Sequence, residues 1–150
     1  MLRAQRRKQL IDVYRGDQLV TSFDFVRRSP FDLAGEEYMA KATSLLGVSF
    51  SLYRGDEEIA VETTTSLLTD AQQIEHGGST WLMKPASYFG KKFNVLSEGG
   101  KNLGNIAPAR YFFPLSKITI DLPDDVPVLA QVFMLWLAVK SWTTDTGGST

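Results

Sequence analysis

The residues in this sequence best suited to chemistry are bases that cluster in the second half of the chain. Between Thr80 and Ile120 the one acidic residue is Glu98. The bases of this stretch are Lys84, Lys91, Lys92, Lys101, Arg110 and Lys117. If they converge on one face, each contributes about 1 kcal/mol of attraction to an acidic membrane surface. We interpret them as a candidate site for anionic lipid headgroups; the alternative is that they solvate the outer face of a sheet.

Other residues accompany this predicted site. Trp81, Tyr88 and Phe89 lie close by in sequence and could enter a membrane interface. A second basic cluster near the N-terminus comprises Arg3, Arg6, Arg7 and Lys8. Such a run contacts lipid or nucleic acid in some proteins, but a chain end is usually just solvated.

Few residues of the sequence point to catalysis or metal binding. His76 is the one histidine, and with Glu75 beside it could act as a general base. No metal-ligand spacing, nucleophile elbow or phosphate-cradling glycine motif accompanies it. Tyr-Arg-Gly-Asp occurs at 14–17 and again at 53–56, where Gly-Asp is ordinary turn chemistry. We therefore predict no enzymatic activity, no metal and no cofactor.

Composition narrows the remaining classes. At 150 residues and a formal net charge of −1, the chain fits one domain with no global attraction to nucleic acid. It has no cysteine, so it has neither a disulfide framework nor a thiol nucleophile. The N-terminal run MLRAQRRKQL is not followed by the apolar region of a secretory signal. We expect a cytoplasmic protein, peripheral at a membrane if it binds lipid.

The segment 124–142 predicts the element around which the chain is organised. From Val126 to Val139 the only side chain that is not apolar, apart from Pro127, is Gln131. A helix that is apolar on every side is buried in protein or in lipid. The run is short for a membrane span, so we predict a buried core helix, with a C-terminal tail anchor as the alternative. The buried Gln131 amide then needs a hydrogen-bond partner, from barrel backbone, water or a ligand.

The rest of the chain predicts short strands. Period-two alternation and turn residues place them at about 9–14, 18–27, 47–53, 58–64, 80–84, 92–96, 103–106, 111–113 and 117–122. In the hairpin 47–64 we expect Ile59 and Val61 to point inward. A short helical turn is predicted over 71–74. Evenly spaced strands followed by one buried helix indicate a mainly β (α+β) fold, an antiparallel β-barrel that encloses its C-terminal helix. The predicted domain spans 1–142, with a disordered tail over 143–150.

The segment 93–142 also resembles a known family. A hairpin turn leads to Leu103-Gly104-Asn105-Ile106, further strands follow, and an acidic turn precedes the apolar helix. This order resembles the C-terminal half of the tubby-like superfamily, in its LURP-one-related and phospholipid-scramblase-like branch. The resemblance implies a barrel around a central hydrophobic helix. Some members of the superfamily are associated with phosphoinositides or membrane surfaces, but no ligand residue is carried over.

These observations lead to competing expectations for function. The first is a non-enzymatic binding domain whose possible partner is anionic phospholipid at a membrane surface. The alternative is an intracellular protein-interaction or scaffold domain with a protein partner, and a small enzyme built on His76 is a third reading. Nucleic acid is not an expected partner, and the oligomeric state is open. A pleckstrin-homology-like barrel is the rival fold, which an amphipathic closing helix would favour.

Overall fold

The computed structural model describes residues 1–43, 49–66, 71–87, 91–110 and 113–147. These residues form twelve strands and one helix: β1 (Leu2–Arg7), β2 (Leu10–Arg15), β3 (Gln18–Asp24), β4 (Phe31–Leu33), β5 (Glu36–Ala42), β6 (Phe50–Arg54), β7 (Glu57–Ser66), β8 (Ala71–His76), β9 (Ser79–Pro85), β10 (Phe93–Ser97), β11 (Asn102–Pro108), β12 (Ile118–Asp121) and α1 (Val128–Gly147).

The strands form one antiparallel sheet that curls into a nearly closed barrel. Its order is β3-β2-β1-β12-β11-β10-β9-β8-β7-β6-β5-β4, so the first and last strands pair and every other neighbour is consecutive in sequence. The order ends at β3 and β4, and we call the junction between them the seam. There Thr21 Oγ1 donates to the Asp32 carbonyl at 2.5 Å, and the Phe23 and Phe31 ring centroids lie 6.2 Å apart. The predicted antiparallel barrel is confirmed.

Helix α1 fills the barrel. Its residues from Val132 to Leu135 are all 0 % exposed, as are Ala130 and Ala138. Since four consecutive helical positions point in four directions, burial of all four requires the sheet to surround the helix. The Gln131 amide Nε2 donates to the Val126 carbonyl at 2.8 Å, so its hydrogen bond stays within the chain that leads into α1. The prediction of a buried, apolar core helix is confirmed.

The helix continues beyond the predicted boundary at Trp142. Residues 143–147, expected to be disordered tail, form its last turns, and 148–150 lie outside the described residues. The Thr143 hydroxyl donates to the Val139 carbonyl at 2.9 Å, so this threonine satisfies a helix carbonyl and does not interrupt the helix. Within the described part of the chain, α1 lacks the combination of length and hydropathy that crossing a bilayer requires.

Several predicted strands need correction. The N-terminal region holds two strands, β1 and β2, joined through Lys8 at a φ of 60°, where one strand was predicted. The predicted helical turn at 71–74 is wrong, because these residues belong to β8. β8 pairs with β7 on one side and β9 on the other, and this pairing overrides weak local helix propensity. Of the predicted strand 111–113, Phe113 is not in a strand, and the other two residues lie outside the described ranges.

The hairpin of β6 and β7 is confirmed, but its inward face is not the predicted one. Leu52 pairs with Ala60 while Tyr53 pairs with Glu58, which leaves Ile59 as an extra residue in a β-bulge. A bulge shifts the alternation by one position. Ala60 and Glu62 are therefore buried, at 2 % and 1 % exposure, while Ile59 and Val61 are half-buried.

The buried Glu62 carboxylate accepts two hydrogen bonds. The Phe50 backbone N–H donates to Oε2 at 3.0 Å, and the Thr64 hydroxyl donates to Oε1 at 3.1 Å. Burial nevertheless raises the pKa of Glu62 above its ordinary value, because desolvation outweighs the hydrogen bonds from Phe50 and Thr64. The barrel interior thus favours the protonated form of this residue.

Gly104 in β11 lies directly against the backbone of β12. A Cβ atom built at this position would overlap the carbonyl of Asp121. Only glycine allows the two strands to approach this closely, because the obstructing atom belongs to the backbone and cannot rotate away. Gly104 is therefore a packing requirement of the barrel wall.

We expect Gly104→Ala to lower the free energy of unfolding by about 3 kcal/mol or more, since β11 and β12 must separate to admit the methyl group. Urea denaturation measures the loss. Gly99→Ala is the matched control in the preceding turn, where the new Cβ meets only the Ser97 hydroxyl, at 4.0 Å. Equal stability of Gly104→Ala and the wild type would contradict the close approach of β11 to β12.

Glu62 predicts a pH dependence of stability. A carboxyl whose pKa is raised by folding contributes stability that is present below its unfolded value, 4.5, and is lost as the pH rises through the folded value. We expect Glu62→Gln to become progressively more stable than the wild type as the pH rises from 4.5 towards neutrality. Urea denaturation across this range tests it, with the exposed Glu98→Gln as control. A stability difference that does not change with pH would contradict the prediction.

Candidate anion-binding site

The two ends of the barrel differ in their connections. Because every strand is antiparallel to its neighbours, the odd-numbered strands all begin at one end and finish at the other. We call the end where they begin the turn end, and the end where they finish the loop end. At the turn end, two-residue turns contain Gly16, Gly35, Gly55 and Gly77, all with φ between 59° and 81°. Both Arg-Gly-Asp copies form such turns, which confirms the turn reading.

Charge is separated between these ends. Exposed acids of the turn end are Asp17, Glu36, Glu37, Asp56, Glu57, Glu58, Glu75, Glu98, Asp121, Asp124 and Asp125. Bases near the loop end are Arg6, Arg7, Lys8, Arg27, Arg28, Lys41, Lys84, Lys91, Lys92, Arg110, Lys117 and Lys140. A net charge near zero therefore conceals a strongly polarised molecule, whose field attracts anions to the loop end.

Five of the six predicted site residues lie at the loop end. Lys84 is next to the last residue of β9, and Lys91 and Lys92 precede β10, with the Lys92 carbonyl accepting from the Ala86 N–H at 2.9 Å. Arg110 and Lys117 belong to the connection between β11 and β12, where the Ala109 N–H donates to the Lys117 carbonyl at 2.8 Å. Lys91 and Lys92 therefore belong to the connection between β9 and β10, and Arg110 and Lys117 belong to the neighbouring connection between β11 and β12.

Lys101 is the exception among the predicted residues. It lies in the turn between β10 and β11, where its N–H donates to Ser97 Oγ at 3.1 Å and its carbonyl accepts from the Ser97 N–H at 2.8 Å. This turn belongs to the turn end, so the structure separates Lys101 from the other five by the length of the barrel.

The N-terminal basic cluster is also divided. Arg3 donates to the Gly16 carbonyl at 3.2 Å, which directs it to the turn end. Arg7 binds Asp12 through two contacts, at 2.8 and 3.2 Å. This hydrogen-bonded Arg7 guanidinium holds the pKa of Asp12 below its ordinary value. Arg6 and Lys8 remain exposed at the loop end, where they join the lysines from the second half of the chain.

Three further bases, not predicted as site residues from the sequence, are Arg27, Arg28 and Lys140. The two arginines follow β3, and Lys140 is the one charged residue of α1 between Val128 and Trp142. They line a pocket at the seam together with Trp136 and Phe25. Desolvation by burial, and next the nearby charge of Arg28, lower the pKa of Lys140. With the complete set of strands, a count of alternate connections would have assigned Arg27 and Arg28 to the same barrel end as Lys91 and Lys92.

Two large apolar side chains are exposed beside these bases. Phe113 is 66 % exposed and Val26 is 65 % exposed, and both lie in connections of the loop end. Trp81, expected at an interface, is instead 6 % exposed in the hydrophobic core. The predictions for Tyr88 and Phe89 lie outside the described residues.

His76 lies at the turn end and has a structural contact. Its Nδ1 donates to the Ile59 carbonyl at 2.7 Å, next to the β-bulge in β7. Glu75 accepts a hydrogen bond from the Gln73 amide at 2.9 Å. Among the described residues no group of three His, Cys, Asp or Glu side chains could hold a metal ion. The arrangement around His76 stabilises the bulge of β7.

Comparisons with protein-family models, with curated proteins and with solved structures find no match to this chain.

Proposed function

We propose that the chain is a tubby-like barrel that binds anionic phospholipid headgroups at a membrane surface through its loop end, without catalysing a reaction. The observation that carries this proposal is the separation of charge between the two barrel ends. Randomly solvated lysines and arginines would be distributed over both ends and the wall. Here most of them collect where the longer connections are, and acids occupy the opposite end.

Exposed apolar residues support a lipid surface over a soluble anionic partner. Phe113 and Val26 project from the loop end among the bases, while Met1 and Leu19 are exposed at the turn end, so the support comes from the aromatic ring of Phe113. At a membrane, an aromatic ring enters the interfacial region while neighbouring cations stay at the level of the headgroups. A basic surface that met only soluble anions would gain nothing from exposing a phenyl ring to water.

Among the loop-end acids whose side chains are described, Asp12 and Asp24 offset only part of this field. Asp12 is held by Arg7 and also accepts from the Ser22 hydroxyl at 2.6 Å. Asp24 accepts from the N–H groups of Val26 and Arg27, both at 2.8 Å. These carboxylates are engaged in local structure, so most loop-end bases remain available to headgroups.

Tubby-like membership remains part of the proposal. The resemblance of 93–142 implies a barrel around a central hydrophobic helix, and the antiparallel sheet that the described residues wrap around α1 supports this expectation. The fold rival loses support, because α1 is buried on all sides and is not an amphipathic helix that closes one opening.

Flotation with vesicles tests the function. We expect monodisperse protein to float with phosphatidylserine-containing vesicles at low salt, and to be released at high salt or from vesicles without anionic lipid. Replacing Lys92 and Arg110 by glutamine removes two cations, at about 1 kcal/mol each, and should weaken binding roughly 30-fold.

Lys101→Gln is the matched control, because it removes one exposed lysine at the turn end. It should leave flotation unchanged. Flotation that is insensitive to salt, or equally weakened by Lys101→Gln, would refute docking through the loop end. Failure of the wild-type protein to float would favour the protein-interaction alternative, for which a stable partner in a pull-down is the expected sign.

A further inference from the structure

The pocket at the seam is the place where the core helix reaches the barrel surface. On one side it is lined by Trp136, Val139 and Lys140 of α1, and on the other by Phe23 and residues 24–28 at the end of β3 and beyond. It has a volume of about 70 Å³, enough to hold several waters. This space suits one small group of a ligand and excludes a whole lipid.

Three cations line this pocket, Arg27, Arg28 and Lys140, and two of them lie around one aromatic ring. The Lys140 Nζ lies 5.5 Å from the Phe50 ring centroid and 6.0 Å from that of Trp136. The Arg28 Cζ lies 5.9 Å from the same Phe50 centroid. Each aromatic face attracts a cation, but the two cations repel one another.

Neither Arg28 nor Lys140 forms an ion pair with a carboxylate of the described residues. In the described part of the chain, the ion pairs are Arg7 with Asp12 and Arg54 with Glu57, both away from this pocket. Burial and the charge of Arg28 both disfavour the protonated form of Lys140. A half-buried lysine facing an arginine is unfavourable unless an anion lies between them.

Asp24 also lines the pocket, but its oxygens are already used. One accepts from the Val26 and Arg27 N–H groups, and the other accepts from the Gln9 amide at 2.6 Å. These bonds form the turn that carries Arg27 and Arg28 past the seam. Asp24 therefore positions the cations and keeps one negative charge beside them, so Arg27, Arg28, Lys140 and Asp24 together give the pocket a net charge of +2.

We propose that the seam pocket binds one phosphate monoester group between Arg28 and Lys140. A dianion matches the net charge of +2 that three cations and Asp24 give the pocket, whereas a carboxylate leaves one positive charge uncompensated. The arginine fork can bind two phosphate oxygens, and the lysine acts as a point charge on a third. The proposal goes beyond surface docking, because a discrete pocket binds the group whether a lipid headgroup or a soluble phosphorylated molecule supplies it.

Calorimetric titration with glycerol 3-phosphate, at constant ionic strength kept with chloride, is the first test. We expect saturable binding at one site per chain and a rise in the Tm of the wild-type protein. Lys140→Met and Arg28→Gln should each weaken binding by about tenfold or more. Lys101→Met is the matched control, an exposed lysine at the turn end and outside the pocket, and should retain full affinity.

The stability of Lys140→Met in the absence of phosphate distinguishes an effect on folding from an effect on binding. Because it removes an uncompensated, half-buried charge and methionine also packs well against aromatic rings, we expect it to be at least as stable as the wild type in chloride buffer. It should then lose the stabilisation that the ester gives the wild type. A variant destabilised in chloride would overturn the claim that the charge of Lys140 is uncompensated within the protein.

Vesicles distinguish the two sources of phosphate. Phosphatidic acid presents a monoester, and phosphatidylserine a diester. A lipid headgroup is the source if Lys140→Met reduces flotation with phosphatidic acid vesicles more than Lys92→Met does, and if phosphatidylserine vesicles show no such difference. The source is a soluble molecule if glycerol 3-phosphate binding requires Arg28 and Lys140 while Arg28→Gln and Lys140→Met leave flotation no weaker than Lys92→Met does. If neither ligand depends on these two residues, the pocket proposal is overturned, and salt-dependent flotation on phosphatidylserine can still hold.

Discussion

The structure depends on a helix that has no polar face. Because α1 must be covered on every side, the sheet has to close around a lumen wide enough for a helix and its side chains. Twelve strands achieve this within 150 residues because each is short and is joined to its neighbour in sequence, several by turns of two residues. The apolar run of α1 therefore determines the strand count, the strand length and the tightness of the turns.

The same constraint divides the surface into two chemically different ends. A meander of twelve strands returns alternate connections to the same end, so charges distant in sequence become neighbours there. Arg6, Arg28, Lys91 and Arg110 belong to four different connections or strand ends, yet all occur where odd-numbered strands finish. The end of α1 arrives at that end as well, and the Trp142 indole donates to the Lys91 carbonyl at 2.8 Å. The core helix and the basic surface are thus held together by a direct contact.

The sequence predicts the parts of this structure that rest on local pattern. The apolar helix, the hairpin turns and the fold class need only spacing and residue type. The inward position of Glu62 needs the bulge at Ile59, which depends on how β7 pairs with β6 and leaves no local signal. Reading 71–74 as helix removes β8 and exchanges the ends of every later connection. β4 was not predicted either, so a count of the predicted strands could not assign Lys91, Lys92 and Arg28 to one end, although each lies where an odd-numbered strand finishes.

Phe50 joins the two ionisable groups that the barrel holds in unfavourable surroundings. Its N–H donates to Glu62, and its ring faces Lys140, but these two side chains do not pair with one another. Burial raises the pKa of Glu62 and lowers that of Lys140, so the interior favours the neutral form of each. Glu62 can become neutral by accepting a proton, although protonation weakens its hydrogen bond from Phe50. Lys140 lies at the seam, where the wall is open, and its charge can be compensated from outside. An ionisable group whose compensation must come from solution is a feature of binding sites more than of cores.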